Sequence, residues 1–295
     1  MREIVIVSGK GGTGKTTLLA YLASVTDRAV TADCDVDAPN LHLLLRPEVL
    51  HRERFAGMKV ATIISSKCTN CGKCVPLCRF GAIKSIGNAG LMKVAIDEES
   101  CEGCGLCGRI CPSKAIKMAD KEVGEWFVSR TAFGKMVHAL LSPGAGNSGK
   151  LVAMVKQRAR MIAKEEGAET ILVDGPPGIG CPVISSLSGC DLAVIVTEPT
   201  ESGLSDARRI LDLAKGFGIT TGFVTNKADI NIGLTERIEG CAAAAGAHVL
   251  GRIPYDEDLA KTMAQGKTAG EGAVGPAAHA MSNIHKSMMA LTEAK

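Results

Sequence analysis

Residues 7–17 of this 295-residue chain read VSGKGGTGKTT, and this stretch decides the fold. The pattern G-x4-G-K-[ST] of a phosphate-binding loop is satisfied by Gly9, Gly14, Lys15 and Thr16. In such a loop the backbone N–H groups cradle phosphates, the lysine reaches the β and γ oxygens, and the hydroxyl binds Mg²⁺. The motif follows an apolar run at 3–7 and precedes a helical pattern, which is the context that a nucleotide site requires. The alternative is a glycine-rich connection without a ligand.

The chain on either side of a central cysteine block alternates apolar runs with helical patterns. The predicted strands are 3–7, 28–33, 60–64, 170–174, 191–196, 220–225 and 248–253. The predicted helices are 15–26, 150–166, 203–216, 233–245, 256–265 and 277–292, with a hairpin at 125–141 and a loop at 144–149. This alternation predicts the α/β class, with a mostly parallel sheet that has helices on both faces. Together with the loop at 7–17, it predicts a P-loop NTPase sheet.

Eight of the twelve cysteines fall in two runs with the same spacing, C-x2-C-x2-C-x3-C. Two-cluster bacterial ferredoxins bind a pair of [4Fe–4S] clusters with this spacing, and the fourth cysteine of each run ligates the other cluster. The predicted ligands of cluster one are Cys68, Cys71, Cys74 and Cys111. Those of cluster two are Cys101, Cys104, Cys107 and Cys78. Zinc is the alternative, but structural zinc sites usually pair two short C-x-x-C-like knuckles.

The cysteine runs interrupt the α/β pattern. Residues 65–119 are predicted to form a small ferredoxin-like α+β domain, inserted into a P-loop ATPase domain made of 1–64 and 120–295. The two runs differ at one point, because Arg79 follows the first and Pro112 follows the second. The cation at this point is either a solvated charge or part of a docking surface for an acidic partner.

The string GKGGTGKTT has an additional lysine, Lys10, directly after its first glycine. In this it resembles the loop of the MinD/ParA ATPases, a superfamily that includes the nitrogenase iron protein and the Mrp-type cluster carriers. The resemblance implies an ATP-sandwiched homodimer in which Lys10 crosses the interface to the partner's nucleotide; the alternative is an exposed cation near phosphate. It also implies an ATP-binding loop that comprises Gly9, Lys10, Gly11, Gly12, Thr13, Gly14, Lys15, Thr16 and Thr17.

The segment TADCDVDAPNLH at 31–42 resembles switch I of that superfamily. The resemblance implies that Asp35 lies near the attacking water, with Asp33 and Asp37 as rivals. The catalytic residues that it implies are Lys10, Lys15 and Asp35.

The segment ILVDGPPGIG at 171–180 resembles a Walker B strand that runs into switch II. By this resemblance Asp174 binds Mg²⁺ through water, beside the hydroxyl of Thr16. Cys181 lies seven residues after Asp174, where the nitrogenase iron protein has a cluster ligand. Cys181 is therefore a candidate functional thiol, although the second cysteine of such a bridging site is missing, and a packed switch residue is the alternative. The cysteines expected to be buried small hydrophobes are Cys34, Cys190 and Cys241.

Two later segments resemble the base-binding part of the superfamily. In VTNKAD at 224–229, the resemblance places Asn226 on the adenine edge. In IPYD at 253–256, it packs Pro254 and Tyr255 on adenine; the alternative is an ordinary strand-to-helix turn. Because VTNKAD also matches the guanine-reading N-K-x-D of GTPases, GTP stays open as the nucleotide.

Composition argues against several partners. The net charge of +3 and the 3% aromatic content argue against a DNA-binding protein with base-stacking platforms. No apolar run approaches the ~18–20 residues of a membrane span, so a membrane is not an expected partner. The opening MREIVIVSGKGG leads straight into a strand and leaves no room for a signal peptide. Twelve cysteines beside an ATP loop are expected to be reduced thiolates, which indicates a cytoplasmic protein.

Three functions fit these motifs, all with ATP, Mg²⁺ and two [4Fe–4S] clusters as cofactors. The first is an ATPase that couples nucleotide-driven switch motion to electron transfer to a redox partner protein. The second is an ATPase that carries or assembles an iron–sulfur or metal cofactor for a client protein, although saturated ligation by eight cysteines argues against those clusters as cargo. The third is a positioning ATPase of the MinD/ParA type whose clusters sense redox state or stabilise the fold.

Overall fold

The computed structural model describes residues 1–87, 92–146, 148–272 and 275–293. Its strands are Arg2–Ser8 (β1), Ala29–Asp33 (β2), Glu48–Ile63 (β3), Ile83–Ile86 (β4), Lys93–Ile96 (β5), Ile116–Thr131 (β6), Gly134–Leu141 (β7), Thr170–Pro177 (β8), Leu192–Thr197 (β9), Thr220–Asn226 (β10) and His248–Ile253 (β11). Its helices are Lys15–Val25 (α1), Leu41–Leu45 (α2), Leu106–Ile110 (α3), Ser148–Glu165 (α4), Cys181–Leu187 (α5), Glu201–Gly216 (α6), Ile232–Ala244 (α7), Glu257–Ala264 (α8), Ala269–Gly272 (α9) and Pro276–Glu293 (α10).

The chain divides into two compact units. The large unit comprises Met1–Glu53, Glu125–Pro143 and Ser148–Lys295. The cysteine unit comprises Arg54–Gly124 and Gly144–Asn147, and it contains all eight clustered cysteines. It extends beyond the predicted insertion at 65–119, because the 16-residue strands β3 and β6 each run from one unit into the other.

The principal sheet has the strand order β11-β10-β9-β1-β8-β2-β7-β6-β3, and β4 and β5 form a separate antiparallel pair. The pairings of β1 with β8 and β9, of β10 with β9 and β11, and of β2 with β7 and β8 are all parallel. The predicted mostly parallel α/β sheet is therefore confirmed. Parallel strands that are covered on both faces consist of continuous apolar runs, and β1 is buried from Glu3 to Ser8.

Helices cover both faces of this sheet. Ile4 and Ile6 of β1 belong to a core cluster that includes residues of α1 and α10. Val7 points to the opposite face, where a side-chain carbon at Gly175 would meet both Val7 and Ser186 of α5. Since successive side chains of a strand alternate between faces, the two sets of contacts are those expected for a sheet between two helical layers.

Several elements differ from the sequence prediction. The 60–64 strand is the end of the much longer β3, and the short helices α2 and α5 were not predicted. The predicted hairpin at 125–141 corresponds to β6 and β7, joined by the turn 132–133. Helix α4 begins at Ser148, inside the predicted loop 144–149, of which Asn147 lies outside the described residues. Within the described part of the chain, none of the helices has the length and apolar character needed to cross a bilayer.

Candidate functional site

The candidate nucleotide site lies where β1, β2 and β8 end. The three strands are parallel neighbours, and Asp174 of β8 is in register with Ile6 of β1 and with Asp33 of β2. The carboxyl ends of adjacent parallel strands meet at one edge of a sheet, which is where ligands bind in open α/β folds. The phosphate-binding loop after β1 therefore lies beside the acidic ends of β2 and β8.

Two glycines of this loop are required by close contacts. A side-chain carbon at Gly9 would overlap Asp206 of α6, so α6 packs directly on the loop backbone. Gly14 has a φ of 88° and precedes α1, and a side-chain carbon there would overlap the Asn226 amide. Only glycine adopts this left-handed conformation at no steric cost. Both packing contacts fix the curvature of the loop.

Lys15, Thr16 and Asp174 form one hydrogen-bonded group. The Lys15 ammonium donates to Asp174 Oδ1 at 2.9 Å, and the Thr16 hydroxyl donates to Asp174 Oδ2 at 2.7 Å. Asp174 is fully buried and Lys15 is 6% exposed. Burial by itself lowers the pKa of Lys15, but the surrounding carboxylates, Asp174 first, raise it above the ordinary value. Lys15 is therefore a permanent buried cation aimed at the site.

The three aspartates of the predicted switch I occupy different positions. Asp33 is fully buried, and its two oxygens accept the backbone N–H groups of Asp35 and Leu41 at 3.1 and 3.2 Å. Burial, and next the charge of Asp174, raise the pKa of Asp33 to about 8. Asp35 lies 3.8 Å from Lys15, and burial raises the pKa of Asp35. Asp33 thus organises the segment, whereas Asp35 is the carboxylate closest to the site lysine after Asp174.

A cavity of about 630 Å³ opens at this site, within the size range of ligand pockets. Its lining includes Gly11, Gly12, Thr13, Gly14, Lys15, Thr16, Thr17, Asp35 and Asp37 of the predicted set. The remainder of the lining is Ser8, Ala38, Asn40, Leu43, Leu44, Pro176, Pro177, Pro182 and Met263. The Thr13 hydroxyl is buried and has no hydrogen-bond partner among the described residues. A donor left over at this position fits a phosphate oxygen, and the hydroxyl and carboxylate oxygens of Thr16 and Asp174 are the ligand types that Mg²⁺ prefers.

Lys10 lies in the large unit next to Glu198, at the end of β9. Its ammonium is 3.6 Å from Glu198 Oε2 and donates to the Thr200 hydroxyl at 3.4 Å. Glu198 also pairs with Lys227 at 2.6 Å. Glu198 was not singled out from the sequence, because its proximity to the loop depends on β9 being the neighbour of β1. The structure therefore holds Lys10 within its own chain.

The residues predicted to contact the base do not line the cavity, and one of them, Asn226, contacts the phosphate-binding loop. Asn226 donates to the Thr13 carbonyl at 2.9 Å and to that extent supports the phosphate-binding loop. Tyr255 is 51% exposed, and its backbone N–H donates to Asp229 at 2.7 Å. Pro254 precedes it directly after β11. These side chains remain predicted contacts of adenine.

The eight clustered cysteines separate into the two groups that the spacing predicts. Burial raises the pKa of the Cys74 thiol, and the charges of Cys71, Cys111 and Cys68 raise it further. This mutual effect requires Cys111 of the second run to lie near the first three cysteines. The second group lines one small cavity with apolar walls, and its members are Cys78, Cys101, Cys104 and Cys107. Each fourth cysteine has therefore crossed to the other run.

Hydrogen-bond donors surround two of these sulfurs. The Ala115 N–H donates to Cys111 Sγ at 3.3 Å, and the Ser113 hydroxyl lies 3.5 Å from it. These groups, Ser113 first, lower the pKa of Cys111 and favour its thiolate. The Ala61 N–H donates to Cys101 Sγ at 3.4 Å. Within the described residues no three His, Cys, Asp or Glu side chains converge to hold a single metal ion. Four cysteines in each group is the ligand number of a [4Fe–4S] cluster, and the clusters stay a prediction.

The other four cysteines have contrasting environments. Cys181 is exposed at the first position of α5. Cys34 is fully buried, and burial raises the pKa of its thiol well above the ordinary value. Burial raises the pKa of Cys190 to about 12. Cys241 is half-buried and accepts a hydrogen bond from Arg208 at 3.0 Å. Only Cys181 among these four is exposed.

Comparisons with known proteins agree with this site. Residues 4–269 match the family model described as the CobQ/CobB/MinD/ParA nucleotide binding domain. A relative from Methanocaldococcus jannaschii, an uncharacterized protein, is 37% identical over 238 residues, which cover 78% of this chain and 79% of that protein. The cell division ATPase MinD of Pyrococcus furiosus aligns with a TM-score of 0.58 at 20% identity, over 98% of this chain and 99% of that one. The septum site-determining protein MinD of Pyrococcus horikoshii, complexed with Mg-ADP, aligns with a TM-score of 0.59 at 19% identity, over 97% and 95%. These structures share the fold of this chain.

Proposed function

Because the chain belongs to the CobQ/CobB/MinD/ParA family of nucleotide-binding domains, we propose that it is a dimeric ATPase that controls electron transfer from two [4Fe–4S] clusters to a partner protein. One observation carries this proposal. A cavity lined by Lys15, Thr16 and Asp35 occurs in the same chain as two groups of four cysteines, and chain segments that start at that cavity lead into the cysteine unit.

The chemistry at the nucleotide site follows from five side chains. Lys15 exchanges its bond to Asp174 for the β- and γ-phosphate oxygens, where its charge stabilises the phosphoryl group as it leaves ADP. Thr16 and Asp174 would hold Mg²⁺, which neutralises phosphate charge when bound. Asp35, 3.8 Å from Lys15, orients the water that accepts the phosphoryl group. Lys10 contributes its cation to the nucleotide of the partner subunit.

The cysteine unit supplies the redox part of the proposal. Its support is the grouping of Cys111 with Cys74 and the lining of one cavity by Cys78, Cys101, Cys104 and Cys107. Each bound cluster would supply one-electron chemistry. The N–H donors to Cys111 and Cys101 stabilise negative charge on sulfur, which is one of the means by which a protein sets a cluster potential.

Two covalent connections support coupling between the nucleotide and the clusters. Leu43 and Leu44 of α2 line the nucleotide cavity, and β3 starts at Glu48 and continues into the cysteine unit. On the return path, 144–147 of the cysteine unit leads directly into α4. Near the start of α4, a side-chain carbon at Gly149 would lie 3.3 Å from the Cys181 carbonyl, so this turn packs closely on α5. Rearrangement of either switch therefore acts on a segment attached to the cysteine unit.

A cofactor carrier is the second candidate, and the exposure of Cys181 favours it. A thiol at the start of α5, beside switch II, is accessible to a partner subunit or a client. This function predicts a labile cluster that depends on Cys181 and transfers to an apo acceptor. The test is a Cys181→Ser variant. If it retains the iron content and ATPase activity of the wild type and transfers as much iron to the acceptor, the carrier function is contradicted.

The redox ATPase is tested by potentiometric titration of the anaerobic protein with Mg-ADP and with a non-hydrolysable ATP analogue. Linkage requires that a nucleotide-dependent potential be matched by a redox-dependent nucleotide affinity. A coupling of about 1.4 kcal/mol corresponds to about 59 mV for one electron. The expected result is a shift of this order that is lost in Lys15→Ala. Equal potentials with both nucleotides contradict the proposal.

A further inference from the structure

We infer that an acidic redox protein docks on the exposed surface above the second cysteine group, so that this group exchanges electrons with the partner. The inference rests on the proposed function and adds the place and the charge of the partner. The surface, called here the cluster-two face, consists of Leu77, Phe80 and Leu106 with the cations Arg79 and Arg109.

The apolar part of the cluster-two face lies directly at the cysteines. Leu77, Phe80 and Leu106 line the same cavity as Cys78, Cys101, Cys104 and Cys107. These three large apolar side chains are nevertheless 48%, 42% and 44% exposed. An exposed apolar group with a charged rim is typical of a protein interaction site. Electron transfer to a protein partner needs such a site close to the cluster.

The rim of this face is positive. The Arg79 guanidinium lies 5.9 Å from the centre of the Phe80 ring, and Arg109 is one helical turn from Leu106 in α3. Among the described residues no carboxylate forms an ion pair with either arginine, whereas Arg54 pairs with Glu122 at 2.9 Å and Lys59 with Asp120 at 3.0 Å. The two arginines are thus available to the acid groups of a partner.

The net charge of the cysteine unit is also positive. It contains eleven Lys and Arg against six Asp and Glu, a formal charge of +5, whereas the whole chain carries +3. The large unit is therefore acidic by two charges, and the excess of cations is confined to the cysteine unit. Bound clusters with their thiolate ligands are negative and offset part of this charge. For docking, the position of each cation therefore matters more than the net charge of the unit. Glu102 is the acidic side chain that lines the cavity.

The internal repeat shows that this face is specific to one group. At equivalent positions after the fourth cysteine, the first run continues with Arg79 and Phe80, and the second continues with Pro112 and Ser113. At these two positions the cation and the aromatic ring therefore follow Cys78 only, although Lys114 lies three residues after Cys111. A second copy of the chain is a poor occupant, because a two-fold contact would bring like charges together.

The probes for this test are a flavodoxin, which is an acidic one-electron protein, and cytochrome c, which is a basic one. Stopped-flow reoxidation of the dithionite-reduced protein is measured with each probe at increasing salt, together with the Kd of the flavodoxin complex. The variants are Arg79→Glu and Arg109→Glu. The control is Lys93→Glu, which makes the same charge change. Lys93 pairs with Ile86 at one end of the β4–β5 ladder, whereas Ile83, which lines the cavity, is at the other end.

The expected result is that the rate with flavodoxin falls as salt rises, whereas the rate with cytochrome c does not. Each arginine reversal lowers that rate and raises the Kd by at least about tenfold at low salt, and Lys93→Glu changes both by less than about twofold. A rate with cytochrome c that falls in the same way as salt rises, equal effects of all three variants, a DNA complex that depends on the two arginines, or self-association through this face would each overturn the inference.

The same samples separate failure of this inference from failure of the proposed function. Iron content and the spectrum of the reduced protein report whether both clusters are present in each variant. In one outcome, cluster-loaded protein is reoxidised normally by small mediators but shows no charge preference among the protein probes. This outcome contradicts docking at the cluster-two face and leaves the proposed function intact. Protein without iron removes the redox function as well.

Discussion

The Lys10 ammonium lies 3.6 Å from the carboxylate of Glu198 in the same chain. Glu198 follows β9, the strand next to β1, and its carboxylate is shared with Lys227. A lysine that is to reach a partner's nucleotide must leave this contact first. In the dimer proposed above, Lys10 would have to leave its contact with Glu198, so nucleotide-dependent dimerisation is expected to work against that contact.

Replacing Glu198 with Gln should favour the dimer. A partly exposed ion pair contributes about 0–1 kcal/mol, so its loss should tighten ATP-analogue-dependent dimerisation by about two- to fivefold per protomer. The measurement is sedimentation with the analogue and with ADP. Glu201→Gln is the matched control, because Glu201 pairs with Arg237 on an exposed part of α6. Weaker dimerisation in Glu198→Gln than in this control would show that Glu198 positions Lys10 productively instead.

Replacing Lys15 with Met should abolish ATP hydrolysis and also destabilise the protein without nucleotide. Lys15 is the buried cation paired with Asp174, and removal of one member of a buried pair costs about 3–5 kcal/mol. Chemical denaturation of Lys15→Met, Asp174→Asn and the double variant measures the coupling. The double variant should be less destabilised than the sum of the two single variants. Additive effects would mean that the 2.9 Å contact contributes no coupling energy.

The contribution of His138 to stability should fall between pH 6.5 and pH 4, against the opposite contribution of Asp33, whose raised pKa favours the folded state as pH falls. Burial, and next the neighbouring His42, lower the pKa of His138 to about 4, and its ring nitrogen shares a 2.9 Å hydrogen bond with Ser129. In that window the unfolded chain binds a proton at this position and the folded chain does not, so the folded state loses stability as pH falls. The full effect is about 3 kcal/mol.

The measurement for His138 is the free energy of unfolding across that pH range. The stability difference between the wild type and His138→Gln should change by about this amount across the range, and His279→Gln, at an exposed position of α10, should leave the wild-type profile unchanged. A profile that keeps its slope in His138→Gln would assign the acid sensitivity to other groups.

Serine substitutions should sort the cysteines by cluster rather than by run. Cys74→Ser and Cys111→Ser should alter one electron paramagnetic resonance signal of the reduced protein, and Cys107→Ser and Cys78→Ser the other. Cys241→Ser, outside both groups, is the control. If Cys111→Ser and Cys107→Ser changed the same signal, the crossed ligation would be wrong.

Local patterns predicted the parts of the site that lie close together in sequence or at the ends of recognisable strands. Lys15 and Thr16 follow from the loop, and Asp174 is implied by the resemblance of residues 171–180 to a Walker B strand. The crossed position of Cys111 follows from its spacing. These residues need no knowledge of strand order.

The parts that were not predicted depend on which elements become neighbours. Asp206 packs on Gly9 because α6 covers the loop, and Glu198 meets Lys10 because β9 lies beside β1. Helix α2 has only five residues, and the N–H group of Leu41 at its start bonds to Asp33 from another element. Long-range packing of this kind leaves no local periodicity to detect.

The central claim is that a nucleotide-controlled dimer contains the clusters. The most direct test is anaerobic sedimentation velocity, followed by the visible absorbance of iron–sulfur clusters, with Mg-ADP and with a non-hydrolysable ATP analogue. The account predicts that the coloured species sediments at twice the 30.7 kDa chain mass with the analogue and at the chain mass with ADP. Colourless protein, or a coloured species with the same mass in both nucleotides, would contradict this claim.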